Sequence, residues 1–177
     1  AAENDVLLVV DEVQTGNGRT GALYGYMKYG INPDIVSTAK GIGGGLPLGA
    51  TMLFEKTENV YTPGSHGSTF GGNPVSCAGA ISIIERLDEN FLSDVEKKNQ
   101  YIIETLSVCE GVKSISGLGL MLGIETEKDV NEVLSYCQQN GVLPIKAKNK
   151  LRLLPPLNIS FEDLEKAIDI IKKACEV

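Results

Sequence analysis

The chain has 177 residues, 42% hydrophobic and 22% charged, which excludes a disordered protein and allows one domain or two small ones with real cores. A net charge of −7 with no basic stripe argues against nucleic acid or an anionic membrane as the main partner. No apolar run approaches the roughly 20 residues of a bilayer span, and no charged-then-apolar leader opens the chain.

Residues 6–10 form a continuous β-rich apolar run, the pattern of a parallel strand buried on both faces. The run ends at Asp11 and Glu12, and the loop "TGNGRTG" follows. Residues 22–29 read as a short helical stretch closed by Gly30. A second buried strand is expected over residues 34–38, leading to Ala39 and Lys40, and a third over 48–54. After the loop "YTPGSHGSTFGGNP", Asn73 and Pro74 read as the cap and first residue of a helix over 74–87. Leu92, Val95, Asn99, Ile102, Ile103 and Leu106 recur near a period of 3.6 and predict a second helix.

Composition changes after Glu110. "GVKSISGLGLMLGIE" reads as two strands about a glycine turn. Thr126 and Asp129 predict a capping box for a helix that Gly141 stops. "VLPIKAKNKLRLLPP" reads as a strand pair, and Ser160 with Asp163 caps a last helix. The expected domains are residues 1–88, part of a parallel-rich α/β sheet, and 89–177, a small α+β unit. Cys77, Cys109, Cys137 and Cys175 form no CxxC pair, and there is one histidine, His66. Buried free thiols in a reducing cytoplasm are expected, and no metal site.

The chemistry lies at strand ends. In open α/β sheets, ligands sit beyond the carboxyl ends of the strands. Asp11 and Lys40 both fall at that edge, on separate strands. Gly41, Gly43, Gly44 and Gly45 follow the lysine and let the backbone turn sharply and a flat ligand come close. An amine attacks a carbonyl only when uncharged, which asks for desolvation or a nearby cation; Ile35, Val36 and Ala39 are expected to supply part of the desolvation. Pyridoxal 5'-phosphate (PLP) matches this pair: its aldehyde condenses with a lysine, and its pyridine nitrogen wants an acidic partner. Lys40 is then the catalytic amine and Asp11 the partner of the ring nitrogen.

"LLVVDEVQTGNGRTG", "PDIVSTAKGIGGGLPLGA", "PGSHGSTFGGNP" and "LRLLPPL", in this order, resemble the class III, or ornithine-type, aminotransferases, and within them the acetylornithine-specific members. The resemblance implies the C-terminal part of a fold-type I PLP transferase. It implies that Val13 packs on the cofactor ring, that Gln14 lies near its phenolic oxygen, and that Ser68 and Thr69 reach the phosphate of a neighbouring subunit, so that a homodimer shares its sites. It implies Arg152 as the grip on the substrate α-carboxylate. The implied reaction transfers the amino group of N2-acetylornithine to 2-oxoglutarate, in arginine biosynthesis; ornithine, succinylornithine and 4-aminobutyrate are alternative donors. The family's front half has no counterpart in these residues, so the chain alone is expected to be an incomplete, inactive fragment that associates with itself.

Two readings of another class stay open. "VLLVVDE" also suits the acidic strand of a P-loop nucleotide hydrolase, although no GxxxxGK[ST] is present. A non-enzymatic interaction module is the other. "GNGRTG" fits GxGxxG formally, but residues 11–15 separate it from its strand.

Overall fold

A computed structural model describes residues 2–176. The backbone forms two compact units that divide between Leu92 and Ser93.

The first unit is built on three strands: β1 (Val9–Asp11), β2 (Ile35–Thr38) and β3 (Ala50–Leu53), in the order β1-β2-β3. β1 runs parallel to β2, with Asp11 opposite Ser37; β3 runs antiparallel to β2, with Thr38 opposite Ala50. The sheet is therefore mixed. Helix α1 (Pro74–Arg86) is capped as its sequence predicts, Asn73 accepting from the Val75 and Ser76 amides at 3.0 and 3.2 Å. The stretch before Gly30 is a 3-10 turn, Gly25–Tyr29, ended by Gly30 in the left-handed region.

The first strand departs from expectation. It is short, and Val6, Leu7 and Val9 are exposed rather than buried on both faces. Among the described residues β1 pairs with β2 alone and forms the sheet edge, so a continuous apolar run there marks preference for burial and not burial itself.

The second unit has a four-stranded antiparallel sheet of β4 (Val112–Leu118), β5 (Met121–Thr126), β6 (Ile145–Ala147) and β7 (Lys150–Leu153), ordered β4-β5-β7-β6. Alternation sends Leu122, Ile124, Leu151 and Leu153 to one face. Helix α3 (Val130–Gln139) packs on β6, β7 and α4 (Phe161–Glu176). The core takes Leu164, Ile168 and Ile171 from α4, and Val95, Ile102 and Leu106 from α2 (Glu89–Ser107). Ser160 and Asp163 form the expected capping box at α4, at 3.0 Å from the Asp163 amide to Ser160 Oγ. At α3 the expected box does not form. Asp129 alone caps, accepting from the Asn131 amide, while Thr126 Oγ1 donates to the Lys128 carbonyl.

Among the described residues, one charged side chain lies inside this unit. Lys98 is 3% exposed; its Nζ reaches Asp94 at 2.6 Å and donates to the Leu157 carbonyl at 3.1 Å. It ties α2 to the loop that follows β7. Cys109, Cys137 and Cys175 are buried free thiols, as expected, whereas Cys77 on α1 is only half-buried.

Candidate active site

The carboxyl ends of β1 and β2 lie side by side because the strands are parallel. Asp11 closes β1. Its Oδ1 accepts from the Val13 amide at 2.9 Å and from Ser37 Oγ at 3.3 Å, so the carboxylate bridges the two strand ends. Neither bond uses Oδ2. Lys40 follows three residues after Ser37 and opens a 3-10 turn, Lys40–Gly43. Its φ is +51°, a left-handed conformation that non-glycine residues seldom adopt and that clusters at functional sites.

The surroundings of Lys40 correct two expectations. Lys40 is exposed; Ile35, Val36 and Ala39 do not enclose it, because only Val36 among them is buried. The glycines answer largely to packing. A Cβ on Gly79 of α1 would lie 3.0 Å from the Gly43 carbonyl oxygen, and one on Gly44 would meet Ile83 at 3.0 Å. Gly44 and Gly79 thus let α1 sit against the turn that carries Lys40, while a Cβ on Gly43 would meet Leu48 at 3.3 Å. Gly45, at φ +102°, faces open space: a Cβ there would meet nothing within 4 Å.

Val13 is half-buried and Gln14 exposed, both in the loop directly after Asp11. Ser68 and Thr69 lie in the exposed loop before α1, where Ser68 Oγ accepts from the Gly71 amide at 2.9 Å. His66 lies beside Tyr61, its ring tilted by 43° with 5.8 Å between ring centres. The register thus brings Asp11 and the strand end before Lys40 to one sheet edge, and Val13 and Gln14 lie in the loop that leaves it. Arg152 belongs to the second unit. On β7 it lies between Gly123 of β5 and Ile145 of β6, half-buried, with its guanidinium 3.6 Å from Met121 Sδ. It lines a cleft of about 590 Å³ whose walls include Leu143, Leu154, Ile159 and Ile170.

Reading the sequence misses two residues that build this edge. Glu12 is 1% exposed and accepts from Thr15 Oγ1 at 2.6 Å, the Gly25 amide at 3.0 Å and the Tyr26 amide at 2.8 Å. Its carboxylate gathers the loop that follows Asp11. Asn17 is also buried, and its amide reaches the end of β2. For Glu12 a signal exists: in an extended chain its side chain opposes that of Asp11. For Asn17 the partners are 21 and 22 residues away, and no local pattern announces them.

Comparison with known proteins decides the family. The profile of the class-III aminotransferases matches residues 1–175. The chain belongs to the class-III aminotransferases. These are fold-type I enzymes that depend on PLP. The chain is 48% identical over 169 residues to the acetylornithine aminotransferase of Haemophilus ducreyi, covering 94% of this chain and 43% of that one. The acetylornithine aminotransferase structure from Elizabethkingia anophelis matches with a TM-score of 0.87 at 31% identity, over 98% of this chain and 46% of that one. The ornithine aminotransferase of Toxoplasma gondii, crystallised with oxidized glutathione and partly occupied by PLP at its active site, matches at 0.88 and 34%, over 98% and 43%. The chain spans a little under half the length of these relatives. A class-III match along the chain displaces the nucleotide-hydrolase reading.

The residues present fit the family's cofactor. An amine and a carboxylate stand on adjoining strand ends, and Asp11 keeps Oδ2 outside its two internal bonds.

Proposed function

We propose that this chain supplies the lysine-bearing part of a PLP-dependent aminotransferase that takes its amino group from N2-acetylornithine and passes it to 2-oxoglutarate. The observation that carries this reading is the bridge at the sheet edge: Asp11 bonded across to Ser37, with Lys40 three residues further along the same strand end. The donor is supported by the names of the relatives at 40–48% identity. An arginine-biosynthetic role follows from that donor.

PLP bound at this edge supplies the electron sink that accepts charge when the substrate Cα loses its proton. Lys40 Nζ would hold the cofactor and then carry a proton to and from that carbon. Asp11 would accept a hydrogen bond from the ring nitrogen and keep its proton in place. Val13 would back the ring, and Gln14 would stand near its phenolic oxygen. Ser68 and Thr69 would donate to a phosphate in the partner site of a homodimer. Arg152 would pair with the α-carboxylate, a task suited to a planar, permanently charged guanidinium. Since Lys40 is exposed within this chain, the ring itself and further protein would have to exclude water from it. For that reason the 177 residues alone are expected to lack useful turnover.

The test uses the protein at its natural length. Borohydride treatment of the PLP-loaded protein should abolish the visible absorption band and leave the cofactor bonded to Lys40 through a reduced amine, and Lys40→Ala should lower kcat by at least about 10²- to 10⁴-fold. Fixation on another amine, or turnover of ornithine or 4-aminobutyrate well above that of N2-acetylornithine, overturns the assignment of lysine or donor respectively. Measurable turnover by the 177 residues alone overturns the expectation of an inactive chain.

A further inference from the structure

Asn17 is 6% exposed and sits at φ +57°, a left-handed conformation that asparagine tolerates better than most residues. Its Nδ2 donates to Thr38 Oγ1 at 3.2 Å and to the Ala39 carbonyl at 3.1 Å. A carbonyl oxygen only accepts, so the nitrogen of the amide must face Ala39. The same Ala39 oxygen accepts from the Ile42 amide at 3.2 Å, the bond that closes the turn holding Lys40. Asn17 therefore grips the two residues immediately before Lys40 and shares the acceptor that closes its turn. The amide oxygen, Oδ1, is buried with no hydrogen-bond partner among the described residues.

We propose that Asn17 is a positioning residue for Lys40: through Thr38 and Ala39 it fixes the strand end and the left-handed turn from which the amine projects. The inference rests on reading Lys40 as the cofactor-binding amine. Asn17 acts on Lys40 through Thr38 and Ala39, and its effect should fall on the chemical step rather than on substrate affinity. A small misplacement of a reacting group costs up to about 100-fold in rate.

The experiment compares Asn17→Gly and Asn17→Asp with the parent protein at its natural length. Glycine keeps the left-handed backbone and removes the donor. Aspartate keeps size and turn preference but sets an acceptor against the Ala39 oxygen, so it stays informative where glycine unfolds. Hydrogen exchange at the Ile42 amide in the cofactor-free protein should quicken about 5- to 10-fold in both, the loss of about one hydrogen bond. In the loaded enzyme kcat should fall about 10- to 100-fold, with KM for the amino donor within about threefold. Unchanged Ile42 exchange overturns the proposal, as does a fall in melting temperature with kcat within about twofold of the parent. Borohydride labelling of the parent is read separately: a label away from Lys40 defeats the reading of the site, while the Ile42 exchange ratio still reports whether Asn17 holds the turn.

Discussion

The two units bury their side chains very differently. Among the described residues, the large side chains that are essentially inaccessible include Ile102, Leu106, Leu120, Leu122, Ile124, Leu151, Leu164, Ile168 and Ile171 in the second unit; the first unit contributes only Val36 and the carboxylate Glu12. The second unit closes its own core, a sheet face covered by helices. The first buries few apolar side chains, among them Tyr24, Val36, Ile42 and Ala80, beside polar tethers, Glu12, Asn17 and Thr38, that shape a loop and a strand end. A packed core resists deformation; a tethered edge holds a few atoms in place and leaves apolar surface over. The residues read as the cofactor site, Asp11 and Lys40, belong to the tethered unit.

The largest effect should come from the core of the second unit. Ile124 is 0% exposed on β5, flanked by Ile115 of β4 and Leu151 of β7. Ile124→Ala should cost about 2–5 kcal/mol, the transfer term plus a cavity that two strands cannot close. Urea unfolding followed by hydrogen exchange at the β5 amides measures it. Val9→Ala on the exposed edge strand should cost far less, and an equal loss at the two positions would break the contrast between the units.

A smaller effect, confined to the second unit, should appear at alkaline pH. Burial pushes the Cys175 thiol up to about 12, with the nearby Cys109 and Cys137 adding to it. Burial likewise raises Cys109 to about 11, helped by its contact with the Glu176 carboxylate, 3.4 Å from Sγ to Oε1. An unfolded thiol titrates near 9.0. Above that pH the unfolded chain has released protons that the folded chain still holds. The stability from these thiols is therefore intact below about pH 9 and drains away as pH rises toward 11–12. The urea midpoint of the second unit should fall between pH 8 and 10.5, and fall less steeply in Cys175→Ala. Equal slopes for parent and variant would show that these thiols do not carry the effect. Half-buried Cys77, in the first unit, should react first with a thiol reagent at pH 8.

What the sequence discloses follows the same division. The helices were legible because their signals are local: Asn73 before Pro74, Ser160 with Asp163, Gly141 after the last turn of α3. The strand pair about Gly119 was legible for the same reason. Asp11 and Lys40 stood out by strand-end position, and their shared edge follows from the parallel pairing of β1 and β2. The environment of each residue was not legible. The glycines after Lys40 suggest an approaching ligand, but the space beside Gly44 is taken by Ile83 of α1 and that beside Gly43 by Leu48. An apolar strand pattern does not say what covers it, which is why residues 6–10 read as buried. Asn17 stayed hidden because its role depends on the meeting of two segments 21 residues apart.

The smallest change in stability, with a separate change in association, belongs to that edge. Val6, Leu7 and Val9 are 54%, 49% and 60% exposed, and among the described residues β1 pairs with β2 alone. An apolar edge strand is a template for a second copy. Replacing Leu7 and Val9 with threonine keeps β propensity at Val9 and adds it at Leu7, while removing apolar surface. Folding stability should change by no more than about 0.5 kcal/mol, since neither side chain is buried. Sedimentation of the 177-residue chain should nonetheless shift toward lower mass than the parent. A stability loss approaching that of Ile124→Ala would mean that the edge is packed like a core, and the contrast between the two units would fail at the place where it is most exposed.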